Sequence, residues 1–78
     1  MDSKIDIAFK ISLMLIDASE NEEKMLHFQN LDIETKKEIR KLNDLLDEAK
    51  PINGSLEHIT IILGKSALYR LMGDHLIK

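Results

Sequence analysis

The chain has 78 residues, no cysteine and a formal net charge of −3, with 44% hydrophobic and 32% charged residues. This length allows one domain at most, and the absence of cysteine excludes disulfides and thiolate zinc sites. The acidic balance argues against a dedicated nucleic-acid-binding protein, because phosphate backbones are bound by basic surfaces.

The first predicted helix covers about residues 3–30, with a break expected near 19–21. Either Asp2 or Ser3 can cap its start, and Asp6 is the capping-box partner available to Ser3. At about 100° per residue, the first part of this helix has two apolar seams. One seam contains Ile5, Phe9, Leu13 and Ile16, and the other contains Ile7, Ile11, Met14 and Ala18. A helix that is apolar on most sides is normally surrounded, so this one predicts a partner.

The segment around the break allows two interpretations. Ser19 and Glu22 have the spacing of a second capping box, which would start a short separate helix carrying Met25 and Phe28. Alternatively, one helix continues without interruption to about Asn30. The pattern favours helix on both sides of the break, with a kink near Ser19.

The middle helix is predicted over 32–49, where the Asp32 carboxylate caps the start and Pro51 limits the end. It has a single apolar face, formed by Ile39, Leu42, Leu45, Leu46 and Ala49. Its opposite side carries a basic patch, formed by Lys36, Lys37, Arg40 and Lys41. We interpret the patch first as a solvated face and second as a surface for phosphate or an acidic protein.

The last helix is predicted over 55–72 and again has two apolar sides. Its main face contains Leu56, Ile59, Ile62, Leu63 and Ala67. A second strip contains Ile61, Leu68, Leu71 and Met72. A strand over 58–63 is the competing interpretation, because this stretch is rich in β-branched residues. We reject it because no second strand is present to pair with it, and the pattern fits a period near 3.6.

These elements predict a single all-α domain over 1–78: a small bundle of three helices or four segments, or a helical hairpin. Leaving four large apolar side chains in water would forgo roughly 6–12 kcal/mol, which is comparable with the stability of a whole domain. We therefore predict a homo-oligomer, most simply a dimer, in which the first and last helices supply the contact. The expected interface residues are Ile7, Ile11, Met14, Ala18, Ile61, Leu68, Leu71 and Met72.

No catalytic, cofactor or metal site is expected. The stretch 64–66, Gly-Lys-Ser, lacks the glycine five positions earlier that a phosphate-binding loop needs, and it is interpreted as a small patch for close helix packing. The three histidines, His27, His58 and His75, lie on separate segments without metal-ligand spacing.

The sequence thus predicts a non-enzymatic protein-binding module, such as an adaptor, small chaperone or inhibitor, whose partners are itself and another protein. The alternative from a different class is a small nucleic-acid-binding or transcription-modulating regulator that uses the basic patch. Neither a secretory signal nor a membrane span is expected, so the cytoplasm is the predicted compartment.

Overall fold

The computed structural model describes residues 3–72, and this part of the chain contains four α-helices and no strand. Helix α1 spans Lys4–Ser19, α2 spans Glu22–Gln29, α3 spans Ile33–Glu48 and α4 spans Leu56–Met72. The all-α prediction is therefore confirmed for the described residues. None of these helices combines the length and apolar content that crossing a membrane requires.

The first predicted helix is two helices in the structure. The hydroxyl of Ser19 donates to the carbonyl oxygen of Ile16 at 2.8 Å, so this side chain belongs to the end of α1. Asn21 caps α2 instead, because its side-chain oxygen accepts a hydrogen bond from the Lys24 N–H at 3.1 Å. Of the two interpretations, the structure shows the separate short helix, with its cap two residues beyond the predicted one.

The start of α1 and the start of α4 are capped by serines. The Ser3 hydroxyl accepts from the Asp6 N–H, and the Ser55 hydroxyl accepts from the His58 N–H, each at 3.1 Å. The turn before α4 contains Gly54 at φ 82°, a left-handed conformation that glycine adopts without strain. Both helices therefore begin within one residue of their predicted starts.

Asp32, the cap of α3, makes the fold sensitive to acid. Its carboxylate accepts the Thr35 backbone N–H at 2.8 Å, and hydrogen bonds from the side chain and backbone of Thr35 hold the pKa of Asp32 below its ordinary value. A lowered folded-state pKa means that the ionised cap stabilises the fold above the ordinary aspartate pKa of about 3.9 and loses this effect as pH falls through the lowered pKa.

We expect thermal melts to show this loss. The wild type should melt above the Asp32→Ala variant at about pH 6, and the gap in Tm should shrink as the pH is lowered from about 5 to 2.5. Asp44→Ala, which removes an exposed carboxylate from the middle of α3, is the control. A gap for Asp32→Ala that stays constant with pH would contradict the assignment.

The core forms where α1 and α4 meet through small residues. The buried stripe of α1 consists of Ala8, Ser12, Leu15, Ala18 and Ser19. It lies between the two predicted seams except at Ala18, which belongs to the second seam. A Cβ built on Gly64 of α4 would lie 2.8 Å from the Cα of Ser12, and nearer still to the Ser12 side chain. The predicted small patch is therefore confirmed at Gly64, whereas Ser66 is exposed. Absence of a side chain at Gly64 sets how closely the two helices approach.

Helices α1 and α4 run in the same direction. Near their starts, Ile5 lines a small cavity of about 140 Å³ together with Ser55 and Glu57. At their middles, Ser12 lies against Gly64. The contacts thus follow the same order in both helices, which fixes which side chains lie on each side of the pair.

Helix α3 lies on one side of the α1–α4 pair. Asp47 forms an ion pair with Lys65 of α4 at 2.6 Å, and Glu48 lies 4.0 Å from the Lys4 ammonium of α1. The predicted single apolar face is confirmed, because Leu46 and Ala49 are buried and the other three members pack partly buried against the core. Among the large apolar residues of α3, Ile33 lies outside this face and is exposed.

Candidate functional site

Five of the eight predicted interface residues belong to the core. Each has 5% or less of its surface exposed: Ala18, Ile61, Leu68, Leu71 and Met72. The chain's own helices cover these side chains, so 5% or less of each is left for contact with a second chain in this fold. The expected interface must therefore be corrected, above all on α4.

On α4 the side that was predicted to form the interface is buried within the chain, and the other side is exposed. The predicted main face is the exposed one except at Ala67, whereas the predicted second strip is buried. The reason is Gly64, which lies on the side of the second strip and permits the close approach of α1. Because buried contacts increase as helices approach, the side with the smallest residue became the core side.

Large apolar side chains remain exposed on α1 and α4, and we call this set the outer face. Its six large side chains are exposed between 48% and 68%: Leu13 of α1 and Leu56, Ile59, Ile62, Leu63 and Tyr69 of α4. The predicted list of interface residues left these six out, although Gly64 was the signal that could have located the buried side of α4.

Leu13 and Leu63 lie on the same side of the α1–α4 pair. Consider two parallel helices that touch at one residue of each. The residue that follows the contact residue in the first helix points to the same side of the pair as the residue that precedes the contact residue in the second helix. Ser12 and Gly64 are the contact positions, so Leu13 and Leu63 flank them together. Lys65 is on the opposite side and reaches α3. Leu13 and Leu63 are therefore directed away from α3, whereas Ile62 and Tyr69 lie three and four residues from Lys65 and share its side of α4.

A second apolar surface is a groove of about 430 Å³ between α1, α2 and α3. It is lined by Ile11, Met14, Leu15, Asp17, Ala18, Lys24, Phe28, Ile39 and Leu42. Three of the predicted interface residues thus belong to this groove, and the fourth predicted residue of α1, Ile7, is 38% exposed. Met14 is the most open, at 71% exposure. An ion pair between Lys24 and Asp17 joins α2 to α1 across the break.

The lysines of the basic patch have acceptors within the chain. Lys36 donates to the carbonyl oxygen of Gln29 at 2.9 Å, which satisfies the carboxyl end of α2. Lys37 lies 3.8 Å from Glu34, and Lys41 lies 3.2 Å from Glu38. Arg40 is exposed beside them. The adjacent carboxylates reduce the positive potential that an anionic partner would encounter.

The histidines do not form a metal site in the described part of the chain. No group of three or more His, Asp or Glu residues within 3–72 is arranged to hold a metal ion. His27 packs edge-on against Phe28, with ring centroids 6.5 Å apart. The Nδ1 of His58 accepts the Gly54 N–H at 3.0 Å. His75 lies outside the described residues.

Comparisons with protein-family models, with curated proteins and with solved structures found no match to this chain. Its function is therefore argued from the chemistry of its surfaces. The outer face and the groove are the two surfaces that bear on that argument.

Proposed function

We propose that this chain is a small non-enzymatic protein-binding module that assembles as a homo-oligomer through its outer face. The observation that supports the proposal is that six large apolar side chains of α1 and α4 are each about half or more exposed. Burying a large apolar side chain contributes about 1.5–3 kcal/mol, so covering half of each of six is comparable with the whole stability of a small domain.

The groove supports the second part of the proposal, which is binding of another protein in an adaptor, chaperone or inhibitor role. A groove of about 430 Å³ with a mainly apolar lining suits anchoring side chains of a partner helix. Met14 on its rim is flexible and polarizable, which adapts such a surface to different side chains. Because the lysines of the basic patch are paired within the chain, this patch gives weaker support to the nucleic-acid-binding alternative.

Sedimentation equilibrium tests the assembly. At micromolar concentration the wild type should have a mass above one chain, and Leu63→Glu should raise the dissociation constant at least about 30-fold. The charge would otherwise be buried at the centre of an apolar contact without a partner. Leu63 is 52% exposed in the single chain, so the variant should still fold.

Ile33→Glu is the matched control, because Ile33 is 60% exposed and lies on α3, away from the outer face. This variant should keep the wild-type mass. A wild type that sediments as one folded chain would refute the homo-oligomer. Equal effects of the two substitutions would show that the outer face has no particular part in assembly.

A further inference from the structure

We propose that α2 is a movable wall of the groove, which detaches from α1 and α4 and unfolds by itself while the other three described helices stay folded. Detachment removes the α2 side of the groove and makes the apolar surface of α1 beneath it accessible. The use of this movement to admit a partner rests on the proposed function, whereas the movement itself does not. The packing of α2, its length and its ties to the neighbouring helices all support the proposal.

Helix α2 is held by little buried surface. Helices α1, α3 and α4 each contribute buried residues, whereas none of the eight residues of Glu22–Gln29 is buried. It packs against the core through Met25 and Phe28, and both are only partly buried. Its third large apolar residue, Leu26, is 57% exposed. Regions with few buried apolar contacts open at a lower free energy than the whole fold.

The groove explains why the contact of α2 is incomplete. Lys24 and Phe28 line it on the α2 side, and Ile39 and Leu42 line it on the α3 side, so it separates these two helices. Met14 of α1, which also lines the groove, is 71% exposed. Side chains in a protein interior normally interdigitate without such a space, and a side chain beside it lacks packing partners there. The inner side of α2 therefore has only part of the contact that a core helix would have.

The length of α2 means that detachment and unfolding are one event. Isolated helices shorter than about 12–15 residues are marginal in water, because the first turn is costly to form, and α2 has eight residues. The Asn21 cap and the acidic Glu22 and Glu23 favour its start but do not replace packing. Once α2 leaves the core, its backbone hydrogen bonds are therefore expected to break together.

Two exposed polar contacts tie α2 to its neighbours. Lys24 forms an ion pair with Asp17 of α1, and the carbonyl oxygen of Gln29 accepts a hydrogen bond from the Lys36 ammonium of α3 at 2.9 Å. Water and salt compete with such contacts at the surface, so each contributes little. They set where α2 lies when it is closed, but they do not prevent its opening.

Native-state hydrogen exchange of the intact chain, measured by NMR, tests the proposal. The amides of Met25 and Asn30 donate to Asn21 and Leu26. After correction for intrinsic rates, both should exchange at least about 30-fold faster than the amide of Leu68 in α4, and they should agree with each other within about threefold. Between 0 and 1 M urea, exchange at Leu68 should accelerate at least about fivefold. Exchange in α2 should change less than about twofold, because its opening exposes little surface.

Phe28→Ala and Leu26→Ala compare the inner and the outer side of α2. Phe28→Ala removes the larger of the two core contacts and should accelerate exchange at Met25 at least about tenfold. Leu26→Ala is the matched control at an exposed position of the same helix, and it should change this rate less than about twofold.

Lys36→Met and Lys37→Met test the tie between α3 and α2. Lys36→Met removes the hydrogen bond to Gln29 and should accelerate exchange at Met25 about 2–5-fold. Lys37→Met removes a contact with Glu34 inside α3, so exchange in α2 should stay within about 1.5-fold of the wild type. The two variants change neighbouring residues in the same way, which makes the comparison direct.

Equal exchange rates and equal urea dependence in α2 and α4 would overturn the proposal, because α2 would then unfold only with the whole chain. A steep gradient of rates between Met25 and Asn30 would also overturn it, since that pattern indicates fraying from one end of the helix. The measurement needs no partner. A wild type that sediments as one chain would therefore refute the homo-oligomer and leave this result in place.

Discussion

Gly64→Ala is expected to lower the free energy of unfolding by about 2–3 kcal/mol, although alanine is the better helix former by about 1 kcal/mol. The added Cβ would lie 2.8 Å from the Cα of Ser12, a backbone atom that cannot rotate away. Helices α1 and α4 must therefore separate along the whole contact. For a domain of this size the change corresponds to a fall in Tm of roughly 10–20 °C, measured by circular dichroism.

A substitution on the opposing helix provides the decisive control. Ser12→Gly should restore part of the stability lost in Gly64→Ala, because it removes the Cβ and Oγ with which the new methyl group collides. Ser12→Ala keeps the Cβ and should not rescue the variant. Ser66→Ala, at an exposed position of α4, should change the stability by less than about 0.5 kcal/mol. Equal losses in Gly64→Ala with and without Ser12→Gly would refute the close approach.

Leu68→Ala is expected to have a similarly large effect, a loss of about 2–5 kcal/mol. Leu68 has 0% of its surface exposed and belongs to the central cluster, so truncation removes buried contacts and leaves a cavity. Chemical denaturation at one fixed protein concentration measures the change, since association makes stability depend on concentration. A domain of this length has about 4–12 kcal/mol in total, so this variant approaches the limit of folding.

Ile33→Ala is the matched control for Leu68→Ala. Ile33 is 60% exposed on α3, and its truncation should change the stability by about 0.5 kcal/mol or less. The contrast tests the corrected assignment of α4, because Leu68 was expected at an interface between chains. A loss below about 1 kcal/mol for Leu68→Ala would show that this side of α4 is not the core.

Local signals along the chain were sufficient to predict where three of the four helices begin. Ser3, Asp32 and Ser55 cap the starts of three helices as their side-chain chemistry predicts. Capping depends on a residue and its neighbours three positions on, so it can be read without tertiary information. The second helix was harder, because Ser19 and Asn21 both suit a cap and only the structure shows that Asn21 takes that position.

The sequence predicted the candidate site less well than it predicted the helices. On α3 one apolar face exists, and it is the face that packs against the core. On α1 and α4 the apolar residues surround most of the helix, so periodicity cannot say which side is buried. Of the predicted interface residues, Ile11 and Met14 do line an open surface, whereas Leu68 and its neighbours do not.

The sequence by itself determined that this chain is helical, where its main helices begin and that its terminal helices are apolar on more than one side. Only the tertiary structure decided which of those sides is buried and which forms the outer face. The physical reason is that apolar character is a property of each side chain, whereas burial depends on how closely two backbones approach. Here that distance is set by Gly64 against Ser12, which turns the larger residues of α4, Leu63 among them, outward.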